Sequence, residues 1–82
     1  MPIDYTRLRG LTVREIQRAL ERDGFSLARQ KGATRFFKHD DGRRVTLHVH
    51  RRSQTLPIGT LREIIEHEAH WTEDDLERLR LI

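Results

Sequence analysis

The sequence predicts a two-layer α+β fold in the order helix, three antiparallel strands, helix and a short C-terminal helix. Three observations carry this reading. A capping signal followed by apolar residues at helical spacing occupies residues 11–24, an alternating segment with turn residues inside it occupies residues 34–50, and a second apolar helical stripe follows from residue 60. With 82 residues there is enough chain for one small core but not for two, so residues 1–82 are expected to form a single domain.

The first helix opens at Thr12, because Thr12-x-x-Glu15 is a capping box and Leu11 can staple against Ile16. Val13, Ile16, Ala19 and Leu20 fall on one face, and Gly24 supplies the left-handed stop. Phe25 to Gln30 then reads as a strand, Lys31-Gly32-Ala33 as a tight connection, and Thr34 to His39 as a second strand rich in aromatic and β-branched residues. Phe36 and Phe37 are adjacent and must point to opposite faces, and the pattern leaves open which is buried. Asp40-Asp41-Gly42 is a hairpin signal. Across Arg43 to His50, Val45, Leu47 and Val49 alternate with Arg44, Thr46, His48 and His50. Arg51 to Pro57 is a polar loop, after which Thr60-x-x-Glu63 reads as a second capping box, opening a helix that buries Leu61, Ile64, Ile65 and Ala69. Thr72 caps a last short helix whose first turn holds Glu73, Asp74 and Asp75 and whose buried residues are Leu76 and Leu79.

Composition narrows the function classes. The chain has no cysteine, which excludes disulfides and thiolate metal sites and fits a reducing cytosol. No stretch approaches the roughly 18 apolar residues that span a bilayer, and the N-terminal segment lacks a signal-peptide core, so a cytoplasmic protein without a membrane partner is expected. The net charge of +3 conceals an asymmetry. Residues 26–55 carry eight basic groups (Arg29, Lys31, Arg35, Lys38, Arg43, Arg44, Arg51 and Arg52) against Asp40 and Asp41, whereas residues 56–82 carry three arginines against seven acids. A basic centre of this kind suits a polyanion such as RNA, and a solvated sheet face without a partner is the alternative.

The segments Gly24-Phe25, Gln30 to Phe37, His39 to Thr46, His50 and Gly59 to Arg62 occur in an order and spacing that resembles the HicA family of toxins, over roughly residues 11–70. The resemblance implies a fold similar to double-stranded-RNA-binding domains, a metal-independent endoribonuclease acting on mRNA, and a HicB-like antitoxin as partner. The family typically places its catalytic histidine two residues after the turn glycine, and here that place holds Thr34. A threonine hydroxyl is no general base near neutral pH, whereas an imidazole is, so the loss of that group should cost roughly 10²–10⁴ in rate. The strand-end Pro-x-His of the family also differs, with His48 at the proline position and His50 matching the histidine.

Three histidines can stand in: His39, His48 and His50. Metal-free RNA cleavage needs a base for the 2′-hydroxyl, an acid for the departing oxygen and cations for the phosphorane charge. Lys31, Arg35, Lys38, Arg43 and Arg44 are the candidate phosphate contacts, a role that requires no base-reading motif if structured RNA is read by shape. A zinc site built from His39, His48 and His50 is an alternative use of the same residues, but His48 and His50 have no acid or thiolate beside them to anchor an ion, so no metal or other cofactor is expected. His67-Glu68-Ala69-His70 falls one residue short of the zinc-protease spacing and reads as a solvated helix face, and Trp71 reads as a lid over the core edge. Two functions compete: a toxin ribonuclease with a displaced histidine, and a catalytically weak or inactive RNA-binding module of the same fold. A purely protein-binding domain with an acidic partner is a third.

Overall fold

A computed structural model describes residues 3–51 and 53–82; Arg52 of the basic centre lies outside the described residues. The chain forms a 3-10 turn (Tyr5–Leu8), helix α1 (Val13–Asp23), strands β1 (Ser26–Lys31), β2 (Thr34–Lys38) and β3 (Arg44–His48), helix α2 (Ile58–Arg62) continuing into wider π-type turns (Glu63–Glu68), and helix α3 (Glu73–Arg78). The strands make one antiparallel sheet in the order β1-β2-β3. This is the expected α+β architecture of the double-stranded-RNA-binding-domain type. The 3-10 turn, with Leu8 buried in the core, lacks a recognisable sequence period and was not anticipated.

Local chemistry sets the boundaries. At the start of α1, Thr12 and Glu15 make the reciprocal capping box, and Leu11 and Ile16 are both buried. At its end Gly24 adopts φ +102°, its N–H bonds the Glu21 carbonyl, and the Phe25 N–H bonds that of Leu20 at 2.9 Å. These two bonds define a Schellman stop, which directs Phe25 into the core and the chain into β1. Gly32 takes φ +59° between the paired Lys31 and Thr34 while Ala33 stays out of the positive region, the pattern of a type II′ hairpin turn. The second hairpin closes through His39 N–H to the Arg43 carbonyl (2.9 Å), with Gly42 left-handed at φ +96°.

The helix after the loop departs from expectation. It begins at Ile58 behind Pro57, and Thr60 makes no capping bond. Proline presets the φ that a helix start requires, and the Leu61 N–H bonds the Pro57 carbonyl at 3.0 Å, so Thr60 already lies inside the helix, where it cannot adopt the extended conformation of a cap. Further along, the Ala69 N–H reaches Ile64 and that of Trp71 reaches Ile65, with His70 left-handed at φ 54°. The widened turns keep Leu61, Ile64, Ile65, Ala69 and Trp71 buried, and they leave Glu68 free to accept the Thr46 N–H at 2.8 Å, covering the outer edge of β3. The expected cap at Thr72 is present and is made reciprocal by Asp75, and Leu76 and Leu79 are buried.

The core lies between the helices and one face of the sheet. Phe37, Val45 and Leu47 enter it from the strands; Val49, just past β3, is half-buried against it. Phe37 rather than Phe36 is therefore the buried aromatic. No residue of β1 is buried, and a bulge at Ala28 shifts its register, so β1 overhangs the helical layer and leaves Leu27 48% exposed. Among the described residues no helix is long and apolar enough to cross a membrane.

Candidate nucleic-acid interface and active site

Residues directly paired across antiparallel strands share a face, so the register fixes which side chains meet. Phe37 pairs with Val45 and Arg35 with Leu47, which defines the helix side. The open side is then a three-by-three array. One row is Lys31, Thr34 and His48; the next is Arg29, Phe36 and Thr46; the last is Ser26, Lys38 and Arg44. Arg29, Lys31, Lys38 and Arg44 make no ion pair among the described residues, and the array holds no acid. A shallow hollow of about 470 Å³ opens here beside Ala28, Arg29, Phe36, Lys38, Arg44 and Thr46. A larger hollow, about 640 Å³, lies between Tyr5, Arg62, Glu66, Trp71, Glu73 and Asp74. It is lined by acids, and its one arginine is already engaged by Glu66 and stacked 5.0 Å from the Tyr5 ring, so the smaller hollow is the one suited to a polyanion.

The three histidines do not converge. His48 projects from the end of β3, and its Nδ1 lies 3.2 Å from the Thr34 hydroxyl. Its backbone carbonyl accepts from Gln54 Nε2 (3.4 Å), while Gln54 Oε1 gathers the His50 and Arg51 N–H groups, so one amide side chain shapes the loop behind the imidazole. His50 lies in that loop, exposed and past the strand end, about 6.8 Å further along at twice the strand rise. His39 stands at the other end of β2, five residues and about 16 Å from Thr34. Its Nε2 donates to the Asp23 carbonyl at 2.7 Å, its ring meets Phe25 edge-on at 5.1 Å, and Nδ1 faces Asp41, accepting its N–H in the neutral ring and pairing with its carboxylate when protonated. His39 thus joins α1 to the hairpin, with both ring nitrogens in contact with groups of the fold. No three metal-ligating side chains cluster among the described residues, so the three-histidine arrangement does not form.

Two of the candidate phosphate contacts are engaged within the fold. Arg43 is 21% exposed: Nη1 donates to Asp23 (2.9 Å) and to the Ala69 carbonyl (2.7 Å), Nε donates to Asp41 (2.8 Å), and the guanidinium stacks 5.0 Å over Phe25. Arg35 points to the helix side, where Nη1 donates to Gln17 at 2.7 Å and Nε is buried without a partner. Arg43 is consumed by structure because acids from α1 and the turn surround it, and Arg35 because it shares the parity of Phe37. Of the five candidate phosphate contacts, Lys31, Lys38 and Arg44 lie on the open face. Arg29 and Phe36 join them, although sequence reasoning had not assigned them a site role. Parity was the available signal: Arg35 and Lys38 are three positions apart along the strand and cannot share a face, whereas Thr34, Phe36 and Lys38 do. Arg29 had no such signal, because the bulge at Ala28 resets the parity of β1.

Asp23 organises the region behind the array. Its carboxylate, 7% exposed, accepts from Arg43, Arg78 (2.7 Å) and Trp71 Nε1 (2.9 Å). Burial alone would push Asp23 up, but these three donors outweigh it and hold the carboxyl below its ordinary value. Elsewhere Tyr5 is pushed up to about 12 by burial and by its bond to the Glu66 carboxylate, which fixes it as a neutral donor.

No curated protein matches this chain closely enough to count as a relative. A family model described as "HicA toxin of bacterial toxin-antitoxin" matches residues 13–68, a span that contains all three strands, the Thr34 and His48 pair and the helix up to Glu68. The match covers more than half of the sequence, from the capped start of α1 to the residue that seals the sheet edge, and the chain accordingly belongs to the HicA family of toxins of bacterial toxin–antitoxin systems.

Proposed function

We propose that this toxin is a metal-independent endoribonuclease of the cytoplasm, folded as one domain over residues 1–82, that binds mRNA on the open face of its sheet, cleaves it through His48 and is neutralised by a HicB-like antitoxin. The observation that carries the proposal is the contact of His48 Nδ1 with the Thr34 hydroxyl at 3.2 Å. Thr34 stands where the family's histidine is expected, and the neighbouring strand presents an imidazole to the same spot. The threonine hydroxyl accepts as well as donates. When Nδ1–H is donated to it, the lone pair of Nε2 is left for the substrate. His48 Nε2 then takes the proton of a 2′-hydroxyl as O2′ attacks phosphorus. The P–O5′ bond breaks with its electron pair going to O5′, which is protonated by solvent or by the imidazolium. The products are a 2′,3′-cyclic phosphate and a 5′-hydroxyl end. Lys31, in the same row, offsets charge on the phosphorane.

The test is cleavage of RNA by the purified chain. His48→Ala should lower the rate by about 10²–10⁴, the usual worth of a positioned base, whereas His50→Ala should leave it within about threefold and EDTA should have no effect. Equal activity of His48→Ala and wild type would overturn the assignment. Absence of cleavage together with retained RNA binding would favour the inactive RNA-binding module. Loss of activity with EDTA that zinc restores would replace the proposal with a metal mechanism.

A further inference from the structure

We infer that Phe36 is a stacking platform for an unpaired nucleobase, so that the substrate class of this toxin is single-stranded RNA rather than duplex. The inference rests on the RNA-binding reading above and narrows it. Phe36 occupies the centre of the open array, half-buried, with the Arg29 guanidinium over its ring and Thr34 and Lys38 flanking it along β2. Phe36 keeps part of its ring open to solvent on this face, among four cations that make no ion pair among the described residues and with no acid in the three rows. Rings placed in this way stack bases without regard to sequence, while surrounding cations track the backbone.

The spacing fits one nucleotide per row. Neighbours on one face of a strand are about 6.8 Å apart, so a base over Phe36 has the Lys31, Thr34 and His48 row on one side and the Lys38 and Arg44 row on the other. Phosphates flanking that base meet cations in both rows, and the one nearer His48 is the scissile one. Arg29 lies over the ring at 5.8 Å from its centroid, near the outer limit of a cation–π contact, so a base stacking on Phe36 displaces only a weak contact and can take the guanidinium onto its own far face. A duplex keeps its bases stacked on each other and presents sugars, phosphates and base edges but no base face, leaving Phe36 nothing to stack on.

The experiment measures binding of the full chain to a short RNA carrying 2′-O-methyl groups, which cannot be cleaved, as a single strand and annealed to its complement. A 2-aminopurine base placed at each position in turn reports stacking. Wild type should bind the single strand at least tenfold more tightly than the duplex and quench 2-aminopurine at one position. Phe36→Leu, which keeps the bulk and removes the ring, should weaken the single strand by about tenfold and abolish the quenching, while Phe36→Trp restores both. Single-strand affinity of Phe36→Leu within twofold of wild type, or duplex bound as tightly as single strand, would overturn the platform. If the chain then still cleaves RNA in a His48-dependent way, the ribonuclease reading survives alone; if neither form of RNA is bound or cleaved, that reading fails with it.

Discussion

Removing the carboxylate of Asp23 tests whether the region behind the array is held by polar contacts. Asp23→Ala leaves Trp71 Nε1 as a donor without its partner, in a residue that is 3% exposed, at a cost of about 1–3 kcal/mol. Arg43 loses one charge-assisted bond but keeps Asp41 and the Ala69 carbonyl, so its share is about 1 kcal/mol. Arg78 is 51% exposed and retains Asp75, which limits its share to about 0–1 kcal/mol after screening. Together these place the loss near 3 kcal/mol, which for a domain of this size lowers Tm by about 12–24 °C in a circular-dichroism melt. Arg78→Ala should shift Tm by no more than about 8 °C. If Asp23→Ala melts within about 4 °C of wild type, the hub carries no net stability and the carboxylate's contacts only balance its desolvation.

Other outcomes follow from the same contacts. Because the folded-state pKa of Asp23 lies below its ordinary value of 3.8, its stabilisation is present above that value and lost as pH falls through the folded one; the Tm gap between wild type and Asp23→Ala should therefore narrow as pH is lowered from 5 to 2. Gly24→Ala should destabilise the chain by about 2 kcal/mol in urea titration, since φ is +102° and the added Cβ would stand 2.9 Å from His39 Nε2; wild-type stability would contradict the Schellman stop. Thr34→Ala should slow RNA cleavage by about 2- to 10-fold, the worth of one hydrogen bond to the imidazole, and no change would mean that the hydroxyl does not orient His48. Lys31→Glu and Lys38→Glu should each weaken RNA binding and reduce its salt dependence, while Arg14→Glu, on the exposed side of α1, should not; equal effects at all three would remove the case for a defined face.

The sequence by itself determined what depends on near neighbours. The capping boxes at Thr12 and Thr72, the glycine stop at Gly24, the Asp-Gly hairpin and the alternation of Val45 and Leu47 are each set by residues within a few positions of one another, and each is present. Where a nearby residue offered a competing start, as Pro57 does for Thr60, the local reading failed by three residues. Partners distant in the chain were decided only by tertiary structure. His39 and Arg43 looked like His48 and Arg44 in sequence, but packing against α1 and the Ala69 turn consumed the first pair and left the second exposed. The bulge at Ala28 brought Arg29 to the open side, and the pairing of β2 with β3 set His48 against Thr34 across a separation of fourteen residues. A charged or imidazole side chain acquires its role from the groups that surround it, and in a sheet those groups are chosen by register and by the layer packed on one face, which a linear pattern does not encode.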